Sequence, residues 1–106
     1  MNEITATELK ARMDAGEDIQ LIDVRQPNEH SFANIEGSTL IPMNEVFARL
    51  NEIDPSRDTI VFCKSGVRSA HVIQALERSG FEGSLANLVG GITAWSHEVD
   101  PSIPTY

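Results

Sequence analysis

Residues 61–71, VFCKSGVRSAH, contain the only cysteine of the chain and the pattern that decides the predicted fold. The apolar run just before the cysteine, residues 59–62, is typical of a strand buried on both faces. A short glycine-containing loop with two cations, Lys64 and Arg68, follows Cys63 and leads into a helical pattern. This stretch therefore predicts a strand, a tight loop and a helix, with one thiol at the end of the strand.

The alternation of strands and helices extends along the whole chain. Thr5, with Glu8 three residues later, forms a capping box that predicts the start of a first helix. Strands are expected within 19–24, 38–43, 59–63 and 85–91, helices over 6–15, 44–53, 69–80 and 92–99, and a loop over 25–37. We therefore expect an α/β fold with a mainly parallel central sheet flanked by helices on both faces, in a single domain over 1–106.

Composition and charge exclude several functional classes. With 8 Lys and Arg against 16 Asp and Glu, the net charge of −8 argues against nucleic acid as a ligand. No apolar run is long enough for a membrane span, and the first ten residues lack the apolar core of a secretion signal. A single cysteine forms neither an internal disulfide nor a Cys-based zinc cluster, and it fits a reducing compartment. We therefore expect a soluble, cytoplasmic protein.

The position of Cys63 indicates a nucleophile. Ligands of parallel α/β sheets bind beyond the carboxyl ends of the strands, and Cys63 lies at such an end. The loop N–H groups can form an anion nest, with Gly66 allowing a sharp turn. These dipoles and the cations Lys64 and Arg68 should lower the pKa of Cys63. The alternative is that Cys63 only fills space in the core, as free cysteines commonly do.

Several motifs, in order, resemble the rhodanese family of sulfurtransferases. They are LIDVR (21–25), NEHSFANIEGSTLIP (28–42), IVFCKSGVRSA (60–70) and LVGGITAW (88–95). The segment IEGSTLIPM and the ending WSHEVDPSIPTY are most similar to the C-terminal rhodanese domain of adenylyltransferase-sulfurtransferases that act in molybdopterin and thiamine-type pathways. One departure is Ala33-Asn34, where many members have Gly-His.

The resemblance implies a rhodanese-like fold and transfer of sulfane sulfur. Cys63 would attack a donor such as thiosulfate, carry the sulfur as a persulfide and pass it to a thiophile such as cyanide or a protein thiol. The loop residues expected to bind the donor are Lys64, Ser65, Gly66, Val67, Arg68 and Ser69. Neither a metal nor an organic cofactor is implied. The expected partners are a small anionic sulfur donor and a protein that gives or accepts sulfur.

Two further residues, Asp23 and Arg25, are implied by the resemblance to support the active loop. The alternative is a solvated ion pair of Arg25 with Glu29, which would contribute about 0–1 kcal/mol. His71 falls within the helix after the loop and is expected to be partly exposed rather than paired with Cys63. The other two histidines show no site pattern. Gly90, Gly91 and Trp95 are expected to have structural roles only.

Two competing functions remain open at this point. Phosphatases and arsenate reductases of the same fold also use a Cys and an Arg around an oxyanion, with one more residue between them. Here four residues separate Cys63 from Arg68, and the tighter loop suits a single sulfur atom beyond the cysteine. The second alternative is a non-enzymatic interaction module, against which the intact Cys63 loop argues.

Overall fold

The computed structural model describes residues 1–106 and contains one five-stranded parallel sheet. Its strands are β1 (Asn2–Ile4), β2 (Ile19–Asp23), β3 (Thr39–Leu40), β4 (Asp58–Phe62) and β5 (Leu85–Leu88). They lie in the order β1-β5-β4-β2-β3, and every neighbouring pair is parallel. The chain therefore has the α/β architecture with a parallel sheet that its sequence predicts.

Helices cover both faces of this sheet. They are α1 (Ala6–Asp14), α2 (Pro27–Phe32), α3 (Val67–Arg78) and α4 (Gly91–Glu98), with 3-10 segments at Met43–Glu45 and Phe47–Glu52. Leu9 of α1 and Trp95 of α4 belong to one buried apolar cluster, whereas Ile73 and Leu76 of α3 belong to a second. The sheet separates the two clusters, which confirms the expected layers. None of the helices is long and apolar enough to cross a bilayer.

Strand β4 contributes to both clusters because successive side chains of a strand point to opposite faces. Ile60 and Phe62 pack in the cluster with α1 and α4, and Val61 and Cys63 pack in the cluster with α3. This alternation explains the continuous apolar run in the sequence. It also directs the Cys63 side chain toward the start of α3.

Local structure differs from the sequence prediction at four places. Residues 25–37 are not all loop, because Pro27 opens α2 and the Gln26 N–H donates to Glu29 Oε1 (3.1 Å). Residues 44–53 form 3-10 segments rather than one α-helix, with non-helical backbone at Arg49 (φ −120°). Strand β1 was not predicted, and α3 begins two residues before the expected Ser69.

Candidate active site

Three neighbouring strands deliver the candidate residues to one edge of the sheet. Asp23 ends β2, Cys63 follows β4, and Gly90 and Gly91 follow β5. Because β2 and β5 both pair in parallel with β4, their carboxyl ends lie side by side. The motifs that are separate in the sequence therefore meet around Cys63.

The loop after β4 wraps around the Cys63 sulfur. Its Sγ accepts hydrogen bonds from the N–H of Gly66 (3.1 Å) and the N–H of Ser69 (3.5 Å). The Ser69 hydroxyl lies 3.3 Å from the same sulfur. Gly66 adopts a φ of 107°, in the left-handed region that glycine favours, and α3 begins directly after it. The anion nest predicted from the sequence is thus present, with the sulfur at its centre.

The environment of Cys63 favours the thiolate. Burial of the side chain raises its pKa, but hydrogen bonds from the Ser69 hydroxyl and from the N–H groups of Ser69, Gly66 and Ser65 lower it by more. The pKa of Cys63 therefore lies below its usual value. The direction agrees with the sequence expectation, but these hydrogen bonds, rather than the two cations, are the largest lowering causes.

Asn87 on β5 fixes the hydrogen bonds behind the sulfur. Its Oδ1 accepts from the Ser69 hydroxyl (2.6 Å), and its Nδ2 donates to the Gly66 carbonyl (3.0 Å). The Ser69 hydroxyl has one proton, so while it donates to Asn87 Oδ1 it can only accept from the Cys63 thiol, and donation to the sulfur requires that proton to leave Asn87. Sequence reasoning missed Asn87, because a polar residue within a strand shows no pattern that connects it to a distant loop.

Helix α4 anchors the backbone of the loop. The N–H of Ile92 donates to the Cys63 carbonyl (3.0 Å), and the N–H of Thr93 donates to the Lys64 carbonyl (3.2 Å). Gly91 lies so close that a Cβ there would fall on both carbonyl oxygens. Gly90 and Gly91 therefore make the tight turn expected from the sequence and also bring the two backbones together. Trp95, on the same helix, is buried in the core.

Asp23 and Arg25 form a buried ion pair beside the loop. Both residues are 0% exposed, and the Arg25 guanidinium donates to both Asp23 carboxylate oxygens (2.9 and 2.7 Å). Arg25 Nη2 also donates to the Ala33 carbonyl, which ties β2 to the end of α2. The solvated Arg25–Glu29 pair considered as an alternative is therefore wrong. The supporting role of Asp23 and Arg25 stays a prediction.

The two loop cations have different surroundings. Arg68 forms a two-pronged pair with Glu29, with Nη1–Oε1 at 2.7 Å and Nη2–Oε2 at 2.9 Å. Lys64 forms no ion pair, and its Nζ lies 4.7 Å from the centre of the Tyr106 ring. The side chains of Ser65 and Val67 are exposed, and of these two residues Ser65 acts on the sulfur through its backbone N–H.

Tyr106 returns to the site from the other end of the chain. Its hydroxyl accepts from Arg25 Nη1 (2.8 Å) and donates to Glu29 Oε2 (2.7 Å). Its ring packs edge-on against Phe32 of α2. Neither Tyr106 nor Glu29 was a site candidate from the sequence. The contacts of Tyr106 span 77 and 81 residues and the Glu29–Arg68 pair spans 39, so no local sequence pattern reveals them.

The histidines and surface clefts lie outside the Cys63 hydrogen-bond network. His71 and His97 are exposed on α3 and α4. His30 Nδ1 is 2.8 Å from Asp23 Oδ2, a contact that sequence reasoning also missed. No three His, Cys, Asp or Glu side chains form a group that could hold a metal ion. Cys63 lines none of the surface clefts and is buried.

Comparison with known proteins agrees with this geometry. The family profile described as a Rhodanese-like domain matches residues 5–98. A sulfurtransferase of Allochromatium vinosum is 35% identical over 103 residues, covering 97% of this chain and 95% of that protein. The probable adenylyltransferase/sulfurtransferase MoeZ of Mycobacterium tuberculosis is 36% identical over 105 residues, covering 97% of this chain and 26% of MoeZ.

A solved structure supports the same assignment. The crystal structure of a thiosulfate sulfurtransferase from Pseudomonas aeruginosa has a TM-score of 0.87 and 26% identity, covering 99% of this chain and 20% of that one. The chain spans only 31% and 26% of the length of two curated relatives that it matches. These matches confirm the resemblance seen in the motifs. The chain belongs to the rhodanese-like domain family.

Proposed function

We propose that this domain transfers sulfane sulfur from a donor to a thiophilic acceptor through a persulfide on Cys63. The observation that carries this proposal is the Cys63 sulfur at the end of β4, held by loop N–H groups and with a lowered pKa. A thiolate held in this way is a nucleophile, and the N–H groups around it can stabilise further negative charge next to the sulfur. The donor class is thiosulfate or an organic persulfide.

The transfer balances in two steps. The Cys63 thiolate attacks the outer sulfur of thiosulfate, an S–S bond forms, the donor S–S bond breaks, and sulfite leaves with the electron pair. The acceptor, cyanide in vitro or a protein thiolate, then attacks the outer sulfur of the persulfide and releases the Cys63 thiolate. No electron is gained or lost overall, so the residues of this chain suffice without a redox cofactor.

Each loop residue has a role in this proposal. The backbone N–H groups from Ser65 to Ser69 stabilise the thiolate and the persulfide anion, Lys64 attracts the anionic donor, and Arg68 can bind the donor once its guanidinium is released from Glu29. A protein sulfur donor or acceptor is part of the proposal and is supported by the adenylyltransferase/sulfurtransferase relative. A cytoplasmic location is likewise proposed, on the basis of the single free cysteine.

The test compares the wild-type protein with Cys63→Ser. We expect thiosulfate to add one sulfur atom to wild-type Cys63, detectable by mass spectrometry, and cyanide to remove it as thiocyanate. The Ser variant should show neither reaction. A Ser variant that retains turnover would exclude Cys63 as the nucleophile. Hydrolysis of p-nitrophenyl phosphate by a wild-type protein that forms no persulfide would instead favour the phosphatase alternative.

A further inference from the structure

The Arg68 guanidinium already holds an oxyanion, and that oxyanion is a residue of this chain. Both carboxylate oxygens of Glu29 engage it, at 2.7 and 2.9 Å. This is the same fork geometry that a sulfonate group of a donor would use. A small oxyanion donor must therefore displace Glu29 before it binds Arg68 in this way.

Glu29 is held in place from two further directions. The Gln26 N–H donates to Oε1 (3.1 Å) at the start of α2, and the Tyr106 hydroxyl donates to Oε2 (2.7 Å). The hydrogen bond from Arg68 is the main cause that lowers the pKa of Glu29 to about 2. The carboxylate therefore stays ionised near neutral pH.

The local charge leaves little attraction for a dianion. Arg25 is neutralised by Asp23, and Arg68 is neutralised by Glu29. Lys64 is the remaining cation of the loop, and the Cys63 thiolate offsets its charge. Thiosulfate would bring two negative charges into this neutral surrounding. An organic persulfide with no other ionised group, R–S–S⁻, would bring only one.

We infer that Glu29, positioned by Tyr106, is a donor-specificity residue: it occupies Arg68 and so disfavours small oxyanion donors relative to organic persulfides. This inference rests on the proposed transfer through Cys63. In the favoured reaction the Cys63 thiolate attacks the outer sulfur of R–S–S⁻ and the thiolate R–S⁻ leaves, so that charge and electrons balance. That reaction uses the loop N–H groups around the sulfur and does not need the Arg68 fork.

The test measures kcat/KM for persulfide formation on Cys63 with two donors, thiosulfate and 2-hydroxyethyl persulfide. Glu29→Gln keeps the shape of the side chain and an oxygen that can accept from Gln26, but it releases the charge from Arg68. We expect kcat/KM for thiosulfate to rise about tenfold or more, the effect of one charge-assisted hydrogen bond. The value for the persulfide should change less than about threefold. Tyr106→Phe should shift the ratio of the two constants in the same direction by a smaller factor.

Glu52→Gln is the matched control. Glu52 forms the same two-pronged pair with Arg49 (2.6 and 2.9 Å) on the exposed surface, and its replacement changes the net charge of −8 by the same single unit. The donor ratio of this variant should equal that of the wild type. An equal ratio in Glu29→Gln and wild type, or an equal shift in Glu29→Gln and Glu52→Gln, would overturn the inference.

A second measurement does not depend on sulfur transfer. Sulfate has no transferable sulfur, and when it occupies Arg68 it should slow the alkylation of Cys63 by iodoacetamide. Glu29→Gln should be protected by a lower sulfate concentration than the wild type. If Glu29→Gln does not fold, the same comparison is made with Tyr106→Phe. If the folded variants need the same sulfate concentration as the wild type, Glu29 does not control access of oxyanions to Arg68 and the inference is refuted. A wild-type protein that is protected by sulfate but forms no persulfide with either donor would refute the proposed function alone.

Discussion

At the scale of single residues, Cys63 combines burial with a tendency to ionise. Its side chain is 1% exposed, and burial by itself would keep the thiol protonated. The loop offsets this cost with two N–H donors at 3.1 and 3.5 Å from the sulfur, and the Ser69 hydroxyl lies 3.3 Å from it. The sulfur is thus kept from bulk solvent, which would protect the persulfide of the proposed transfer from water.

The Ser69 hydroxyl provides the first residue-scale prediction. It is the largest of the causes that lower the pKa of Cys63, so Ser69→Ala should raise that pKa. Ser65→Ala is the control, because the Ser65 side chain is exposed and only its N–H acts on the sulfur. The rate of iodoacetamide alkylation against pH measures both. An inflection at the same pH in Ser69→Ala and the wild type would contradict the assigned role.

Arg68 and Lys64 provide the second prediction. Arg68→Ala removes a cation and also leaves the Glu29 carboxylate unpaired at the donor site, so kcat/KM for thiosulfate should fall about ten- to a hundredfold. Lys64→Ala removes the same charge without leaving an unpaired carboxylate, and the loss should be smaller. When Glu29→Gln is also present, Arg68→Ala should lower kcat/KM for thiosulfate by a smaller factor. Steady-state kinetics on the three single variants and the Glu29→Gln/Arg68→Ala double variant measure this. A larger loss for Lys64→Ala would assign donor attraction to Lys64 instead.

At the scale of elements, α4 controls the active loop through its first turn. Two of its N–H groups bind the carbonyls of Cys63 and Lys64, and Gly91 permits this close approach. The loop is therefore fixed from two sides: Gly66 and the first turn of α3 provide N–H groups to the sulfur, and α4 binds the carbonyls behind it. Strand β5 supplies Asn87 between them.

Gly91→Ala tests this arrangement. The added methyl group would collide with two backbone oxygens, and the φ of 59° would also be strained for alanine. We expect a loss of stability greater than the about 1–2 kcal/mol of a left-handed residue alone, together with loss of sulfur transfer. Gly80→Ala is the control that measures the backbone strain without the collision, since Gly80 has a φ of 88° and open space around it. Equal stability losses in the two variants, measured by urea unfolding, would argue against the close approach.

The elements also show what sequence could and could not predict. The capping box at Thr5, the apolar run of β4 and the stop at Gly80 gave correct helices and strands because each depends on local chemistry. The short α2 was missed although Pro27 stands at its first position. The 3-10 segments were predicted as one helix because spacing of apolar residues alone does not distinguish the two conformations.

At the scale of the whole molecule, the parallel sheet determines which residues meet. The order β5-β4-β2 brings Asp23, Cys63 and Gly91 together, and that meeting was predictable because the carboxyl ends of parallel strands share one edge. The return of Tyr106 to Glu29 and Arg25 was not predictable in this way. It depends on packing of the last residue against the segment around α2, and neither the spacing of apolar residues nor a sequence motif indicates this contact.

The Glu29–Arg68 pair links this packing to stability in acid. The pKa of Glu29 falls from 4.5 to about 2 on folding, chiefly through the hydrogen bond from Arg68. A group whose pKa is lowered contributes stability above its unfolded pKa and loses that contribution as the pH falls through the folded value. The contribution of the Glu29 charge should therefore be complete near neutral pH, on the order of 2 kcal/mol, and should disappear between about pH 5 and pH 2.

Urea unfolding of wild type and Glu29→Gln at several pH values measures this contribution directly. The free energies of unfolding should differ most above about pH 5 and converge as the pH approaches about 2, since protonated Glu29 and glutamine are both neutral. Glu52→Gln should show a weaker dependence, because its pair with Arg49 is exposed and screened by solvent. Parallel acid profiles for wild type and Glu29→Gln would mean that the pair does not couple Tyr106, α2 and the active loop energetically. The selectivity inferred for Glu29 would then lose its structural support as well, because a carboxylate that is not bound firmly to Arg68 in the folded protein could not compete with an incoming donor.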